Sequence, residues 1–581
     1  MSNRPAQRYT LPLAIFMLLG VCHGRAMSVP VIDNCQTKDR ICIYASPNAA
    51  ADGSGKTSED PVSIEGAQQL AIDHRRSNPS GRISVILRGG RYELKSPVNI
   101  TPEISSEGNG GIEYINYPGE QPVLTGATAV GGWVQYKGGI YASKTAFPFR
   151  QLFIDDQWAQ RARTPGNGNY FRLKRWYLNK EGNQKDPGNQ RLVLNAADVT
   201  GALSPGVEIH VQRVFNVDIY KVADVRTVNG ESIVRFDEPG ATLAYSRAYP
   251  QKLDNQAYHL EGSLDFVDED GEWYQDNRHV VYLKWKSLSD LQRARVRAPR
   301  LQNLMIISGR ADKPVTNVRI SGIHFAETTW AEPDRAGFIP GQGAFYTATK
   351  EESIVPGAIS IHYASRLHID HNLFYNLGGA GIVSSEGLSD SSIESNEFHD
   401  IAGGGIVLAA KRLRNPAPDQ MTSNISVIGN SLSRIGKDYP GSVAIIATYV
   451  RNLLVKDNAI RNVPYTGISV GWGWTKDRTV MANNAVISNT VDAAMSMLSD
   501  GAALYFLSNQ PNSIVKDNQI SNIRLSPWAV APFMGAIYLD AGSSGISLEN
   551  NSIRNIGTIN ERNHELFNQR GNPPVRSLPN R

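Results

Sequence analysis

From Val315 onward the chain keeps returning to one short unit, and that repetition restricts its fold more than any other feature. The unit is a β-branched pair, an asparagine, a hydrophobic pair, a glycine turn and a second strand. Ile369-Asp370-His371-Asn372-Leu373-Phe374 is one copy and Ile393-Glu394-Ser395-Asn396-Glu397-Phe398 is the next. Further copies centre on Asn430, Asn458, Asn484, Asn518 and Asn551, at spacings between 24 and 34 residues. A unit this short cannot bury its own apolar face. Neighbouring units must stack, about 4.8 Å apart, and share one apolar column. An asparagine at the same corner of each coil can ladder onto the next coil, and it tolerates the left-handed turn conformation. Unequal spacing disfavours a propeller or a leucine-rich horseshoe. It suits a parallel β-helix whose variable loops leave one face, with an ordinary β-sandwich as the alternative.

Upstream the pattern differs. Short β-branched runs bounded by turns, such as Ile83 to Leu87 before Gly89-Gly90, read as the first coils, and Val62 to Arg75 reads as one short helix. From about Gly131 to Leu301 the strands are tryptophan- and tyrosine-rich and irregularly spaced, which suggests an inserted β-sandwich-like domain. The expected organisation is a signal peptide at 1–26, first coils at 27–130, the insertion at 131–301, the main β-helix at 302–560 and a flexible C-terminal tail at 561–581. The fold class is all-β.

The N-terminus reads as a targeting segment, with Arg4 and Arg8 ahead of the apolar run Leu11 to Val21 and small residues around Gly24-Arg25-Ala26. A retained anchor and a lipidated Cys22 are the alternatives. Cleavage near Ala26 places the protein outside the cell or in the periplasm. It also removes Arg4, Arg8 and Arg25 from the formal charge of +4, leaving +1, so no nucleic-acid partner is expected. No later segment is apolar enough for stable membrane insertion. Cys35 and Cys42 remain, and in an exported chain they are expected to close a small disulfide loop.

Candidate chemistry lies where residues break the repeat. Asp500 opens Asp500-Gly501-Ala502-Ala503-Leu504-Tyr505, and Asp540 ends Gly535-Ala536-Ile537-Tyr538-Leu539-Asp540. Leu507, Gly471, Ala409 and Ser385 stand where Asp540 stands in earlier coils. Two acids on neighbouring coils suit glycosidic acid/base chemistry. Aligning Tyr505 with Tyr538, however, sets Asp500 well before its tyrosine and Asp540 after its own, and straight strands would hold the two acids apart. A turn-capping role for Asp500 is the alternative. Trp472 and Trp474 flank Gly473 and suit stacking on a sugar ring; a loop-bracing role is the alternative. Tyr505 and Tyr538 complete the set of substrate-binding candidates. The sequence contains no Ser/His/Asp motif, zinc spacing, phosphate loop or EF-hand loop, so neither a metal nor a cofactor is expected.

Several stretches resemble glycoside hydrolase family 141, β-helix enzymes of the pectin-lyase-like kind whose activities include α-L-fucosidase and xylanase. The resemblance runs through Val85 to Tyr92, Tyr117-Pro118-Gly119-Glu120, Arg150 to Ile154 with Arg161-Ala162-Arg163, Gly271 to Tyr274, Gly322 to Phe325, Pro464 to Trp474, Asp500-Gly501 and Tyr538-Leu539-Asp540. It implies catalytic roles for Asp500 and Asp540. It also implies that the insertion packs against the helix and walls the pocket, making Arg161 and Arg163 candidate ligand contacts. The chain departs from the family pattern at Ala502-Ala503, where a second glycine is more usual, and at Ala541, where an acid is commoner. The expected function is a monomeric, secreted glycoside hydrolase acting on a plant or microbial polysaccharide or oligosaccharide. The competing readings are a lyase or epimerase on uronic-acid polymers and a non-catalytic carbohydrate-binding β-helix.

Overall fold

The computed structural model describes residues 40–49, 53–105, 110–177, 191–199, 201–246, 249–347, 352–530, 534–557, 563–568 and 572. The expected signal peptide and Cys35 lie outside these residues. Cys42 is disulfide-bonded. Among the described residues no helix is long and apolar enough to cross a membrane.

Three parallel sheets run along a right-handed β-helix. The first has 11 described strands, from Arg40–Ala45 to Ser544–Glu549. The second runs from Gly90–Glu93 to Ser552–Arg554 and the third from Val98–Ile100 to Asn563–Asn568, each with 10 described strands. Each coil passes through the three in that order. Alternation along a strand sends every second side chain inward, and in-register stacking turns those residues into columns. One column in the second sheet is Phe325, Phe374, Phe398, Leu432, Ile460, Val491 and Ile520. Its phenylalanines stack at 4.9 and 4.6 Å between ring centres, within 9° of parallel. Each such fully buried side chain contributes about 1.5–3 kcal/mol, so the columns hold the coils together. The short helix expected near Val62 spans Ile64–Ser77, capped by the Ser63 hydroxyl, with Ala67 and Ala71 fully buried.

A buried asparagine ladder follows the corner between the first and second sheets. It comprises Asn372, Asn396, Asn430, Asn458, Asn489, Asn518 and Asn551. From Asn396 onward the Oδ1 of each accepts the backbone N–H of its predecessor at 2.9–3.1 Å. Each side-chain amide from Asn372 to Asn518 donates onward to the next Oδ1 at 2.9–3.1 Å. Two expectations are corrected here. Asn484 is not a member; it precedes the strand Ala485–Ile487 and bonds to Leu453 and Gln510 at another corner. The left-handed residue is the one before each ladder asparagine, His371, Ser395, Asp457, Ser488 and Asp517 among them. Among the asparagines that do adopt it, Asn424, Asn452, Asn483 and Asn512 form a second, exposed ladder.

The insertion leaves the helix between the second and third sheets. It contains an eight-stranded antiparallel sheet and two four-stranded ones, with Ala127–Ala129 pairing with Val296–Pro299 at its neck. The connection carrying Gln342 and Phe345, and the one ending at Asp500, leave from the same corner of later coils. The insertion and these loops therefore rise on one side. Within the loose tail expected at 561–581, the described residues 563–568 form a strand. Asn563–Asn568 adds a parallel strand to Met534–Leu539, because a further coil edge offers the same ladder of backbone partners. Asn572 then donates to the carbonyls of Leu539 and Asp540.

Candidate active site

The third sheet ends in a cavity of about 700 Å³, whose lining includes Trp472, Trp474, Asp500, Tyr505, Tyr538 and Asp540. Strand register explains the grouping. Tyr505 pairs with Tyr538 on adjacent coils, and their rings meet edge to face at 4.9 Å. Asp540 lies just beyond the strand end, where Leu507 stands in the preceding coil. Four donors converge on its carboxylate: Trp474 Nε1 at 2.9 Å, the Tyr505 hydroxyl, the Tyr538 hydroxyl at 3.1 Å and the Ala541 N–H at 2.7 Å. Both oxygens accept and neither donates, the pattern of a carboxylate. Burial, then the neighbouring Asp540 charge, pushes both phenols up, so they remain protonated donors.

Asp500 reaches the same cavity through a chain corner that the sequence did not reveal. Its φ is +53°, and the Tyr465 hydroxyl donates to its carbonyl at 2.9 Å. Gly501 lets this corner pack tightly, since a Cβ there would lie 2.6 Å from the Tyr465 ring. The Asp500 carboxyl makes no side-chain hydrogen bond among the described residues. Its pKa is pushed up to about 6, first by burial and then by the charge of Asp540. Two acids of contrasting surroundings thus share one chamber, although straight-strand reasoning would have held them apart.

Aromatic rings form much of the wall. Trp472 packs at 4.9 Å from Phe345 and 5.1 Å from Trp474, while Trp474 is 43% exposed. The φ of Gly473 is +103°, and its Cβ position is filled by the Tyr449 hydroxyl, so only glycine fits between the two tryptophans. The Arg412 guanidinium lies 4.3 Å over Phe345 and 4.9 Å over Trp472. Phe215 and Tyr249 of the insertion close another side. Gln342, Phe345, Arg412, Phe215 and Tyr249 were missed in the sequence because they sit in non-repeating segments with no local pattern to break.

Arg161 and Arg163 are not in this chamber. Both line a second cavity of about 230 Å³. Arg161 bonds Glu261 at 3.0 Å, and Arg163 bonds the carbonyls of Pro165 and Asn169 while lying 5.0 Å over the Tyr170 ring. Their expected role as contacts in the aspartate pocket is corrected: the insertion reaches that pocket with other residues, pairs Arg161 with its own acids and holds Arg163 on backbone carbonyls and the Tyr170 ring.

Comparison with known proteins agrees with this architecture. The family model for a right-handed β-helix region matches residues 357–553, and that for the GH141 insertion domain matches residues 133–285. A solved glycoside hydrolase superposes with a TM-score of 0.83 at 25% identity, covering 92% of this chain and 96% of its own. More distant are XylC in complex with xylose (TM-score 0.44, 11% identity, 90% of this chain and 70% of that one) and the GH136 lacto-N-biosidase from Eubacterium ramulus (0.36, 10%, 89% and 68%). No curated protein matches the chain. The chain is a glycoside hydrolase family 141-like right-handed parallel β-helix protein that carries the GH141 insertion domain.

Proposed function

We propose that this protein is an exported glycoside hydrolase acting on a plant or microbial polysaccharide or one of its side chains, fucosidase- or xylanase-like, with Asp500 and Asp540 as its catalytic pair. The observation that carries the reading is that two acids in opposite surroundings face one aromatic-walled chamber. Asp500, with its raised pKa, holds a proton in mildly acidic solution and acts as the general acid. It gives that proton to the glycosidic oxygen as the bond from C1 to that oxygen breaks. Asp540, fixed by its four donors, supplies the anionic oxygen on the other side, either attacking C1 or taking a proton from the attacking water. Trp472 and Trp474 offer ring faces to the apolar side of the sugar, and Tyr505 and Tyr538 stand beside the reacting centre. The chain acts as a monomer and is exported after cleavage near Ala26.

The test is digestion of a glycan panel read by mass spectrometry, followed by the variants Asp500→Asn and Asp540→Asn on the substrate it identifies. Both variants should lose hydrolysis by about 10³-fold or more with unchanged circular dichroism. Wild-type rates in both would exclude these acids. An ultraviolet-absorbing unsaturated product would indicate a lyase instead. Binding without turnover on any glycan would indicate a carbohydrate-binding protein.

A further inference from the structure

The insertion contains a cluster that the proposed hydrolysis does not use. Its antiparallel strands Glu208–Gln212 and Ala257–Glu261 pair His210 with His259 and Glu208 with Glu261, so all four side chains share one face. His210, His259 and Glu261 line the 230 Å³ cavity, as does Asp438 of the β-helix. The four strand residues are buried, with 3–8% exposure.

The two imidazoles meet at the carboxylates. His259 Nε2 lies 3.1 Å from Glu261 Oε1, whereas His210 Nε2 sits between Glu208 Oε2 at 3.1 Å and Glu261 Oε2 at 3.6 Å. One ligand atom from each of His210, His259 and Glu261 falls within 4.8 Å of the other two. Bonds of about 2.0–2.2 Å to a zinc-like ion put neighbouring ligand atoms about 3.0–3.5 Å apart, so the two histidine–Glu261 contacts are near such edge lengths, and the remaining edge is at most 4.8 Å. His259 is also held through Nε2 alone: its buried Nδ1 has no hydrogen-bond partner among the described residues.

We propose that His210, His259 and Glu261 form a binding site for one divalent transition-metal ion of the zinc class. Two imidazoles and one carboxylate are a donor set suited to zinc, iron, cobalt or nickel rather than to calcium or magnesium. The arginines decide which acid serves. Arg150 occupies both oxygens of Glu208 at 2.7 Å, whereas Arg161 bonds only Oε2 of Glu261, leaving Oε1 toward His259. Sequence spacing could not show this set, because strand pairing brings the two histidines together from distant positions.

The location gives such an ion a mechanical role. The strand carrying His210 ends at Gln212, which donates to the Met497 carbonyl, and just beyond it the Val214 carbonyl accepts from Ser499 N–H at 2.8 Å. Met497 and Ser499 lead directly into Asp500. An ion holding the two insertion strands together would steady the surface on which that corner rests.

The test uses the untagged full-length mature chain, stripped with a chelator and dialysed against Zn2+ or Co2+. One ion per chain is expected by mass spectrometry of the metal, together with a rise in Tm that chelator reverses. Binding should weaken at least tenfold in His210→Gln and in His259→Gln, and remain unchanged in the distant control Glu231→Gln. If the wild type retains no stoichiometric ion, or if both histidine variants bind as it does, the proposal is wrong. Should the variants fail to fold, X-ray absorption of the Co2+-loaded wild type decides: two imidazole nitrogens support the site, and none overturns it.

Discussion

Trp474 donates its indole N–H at 2.9 Å to the carboxylate of Asp540, which lies two coils further along the helix. The exposed ring of the pocket wall and the more heavily hydrogen-bonded acid of the two are thus one unit. A hydrogen bond to a charged group contributes about 1.5–3 kcal/mol, and the partial exposure of Trp474 places this one at the low end. Trp474→Phe keeps a ring and removes the donor. Its kcat/KM is expected to fall about tenfold, more through kcat than through KM, in steady-state kinetics on the substrate identified above.

Asp500 predicts the alkaline limb of the activity profile. As a general acid with its pKa pushed up to about 6, it should lose its proton, and the enzyme its activity, as pH rises through that value. The same shift has a stability consequence. A carboxyl whose folded pKa is raised above its unfolded value favours the folded state below the unfolded pKa, and loses that contribution as pH rises through about 6. Asp500→Asn should therefore raise Tm relative to wild type at pH 8 and leave it little changed at pH 4, as differential scanning calorimetry would show.

The two asparagine ladders should respond differently to truncation. Asn489→Ala strands the buried Asn458 N–H and the Val455 carbonyl, and is expected to cost about 2–4 kcal/mol. Asn512→Ala removes an exposed amide bonded to Asn483 at 3.3 Å, and should cost under about 1 kcal/mol. Equilibrium denaturation with urea, comparing midpoints at equal slope, separates the two.

Asn572 binds the Asp540 loop through the Leu539 and Asp540 carbonyls and the Gly542 N–H. Asn572→Ala is expected to lower kcat several-fold with a Tm change of only a few degrees. A control that shortens the chain after residue 573 should keep activity, since it leaves this contact in place.

Much of the helix could be read from the chain. Phe374 and Phe398 occupy equivalent places in successive units, and their stacking follows from that equivalence. The candidate acids were legible for the opposite reason: Asp540 stands where earlier coils carry Leu507 or Gly471, and a charge in an apolar or small-residue column is conspicuous. Asn484 misled because it has the right residue type at nearly the right spacing, and only pairing of Ala485–Ile487 with Ile514 to Lys516 shows it to be out of phase. Phe215, Tyr249 and Arg412 had no repeat to depart from.

The aspartates that opened this site mark the division. The sequence by itself determined that short units must stack, because none can bury its own apolar face, and it showed which positions break the column. Tertiary structure alone decided what meets in space. The left-handed corner at Asp500 turns that acid toward Asp540, strand pairing in the insertion gathers His210, His259 and Glu261, and Arg161 is drawn away to Glu261. These depend on contacts between residues tens to hundreds of positions apart, which leave no periodic trace in the chain.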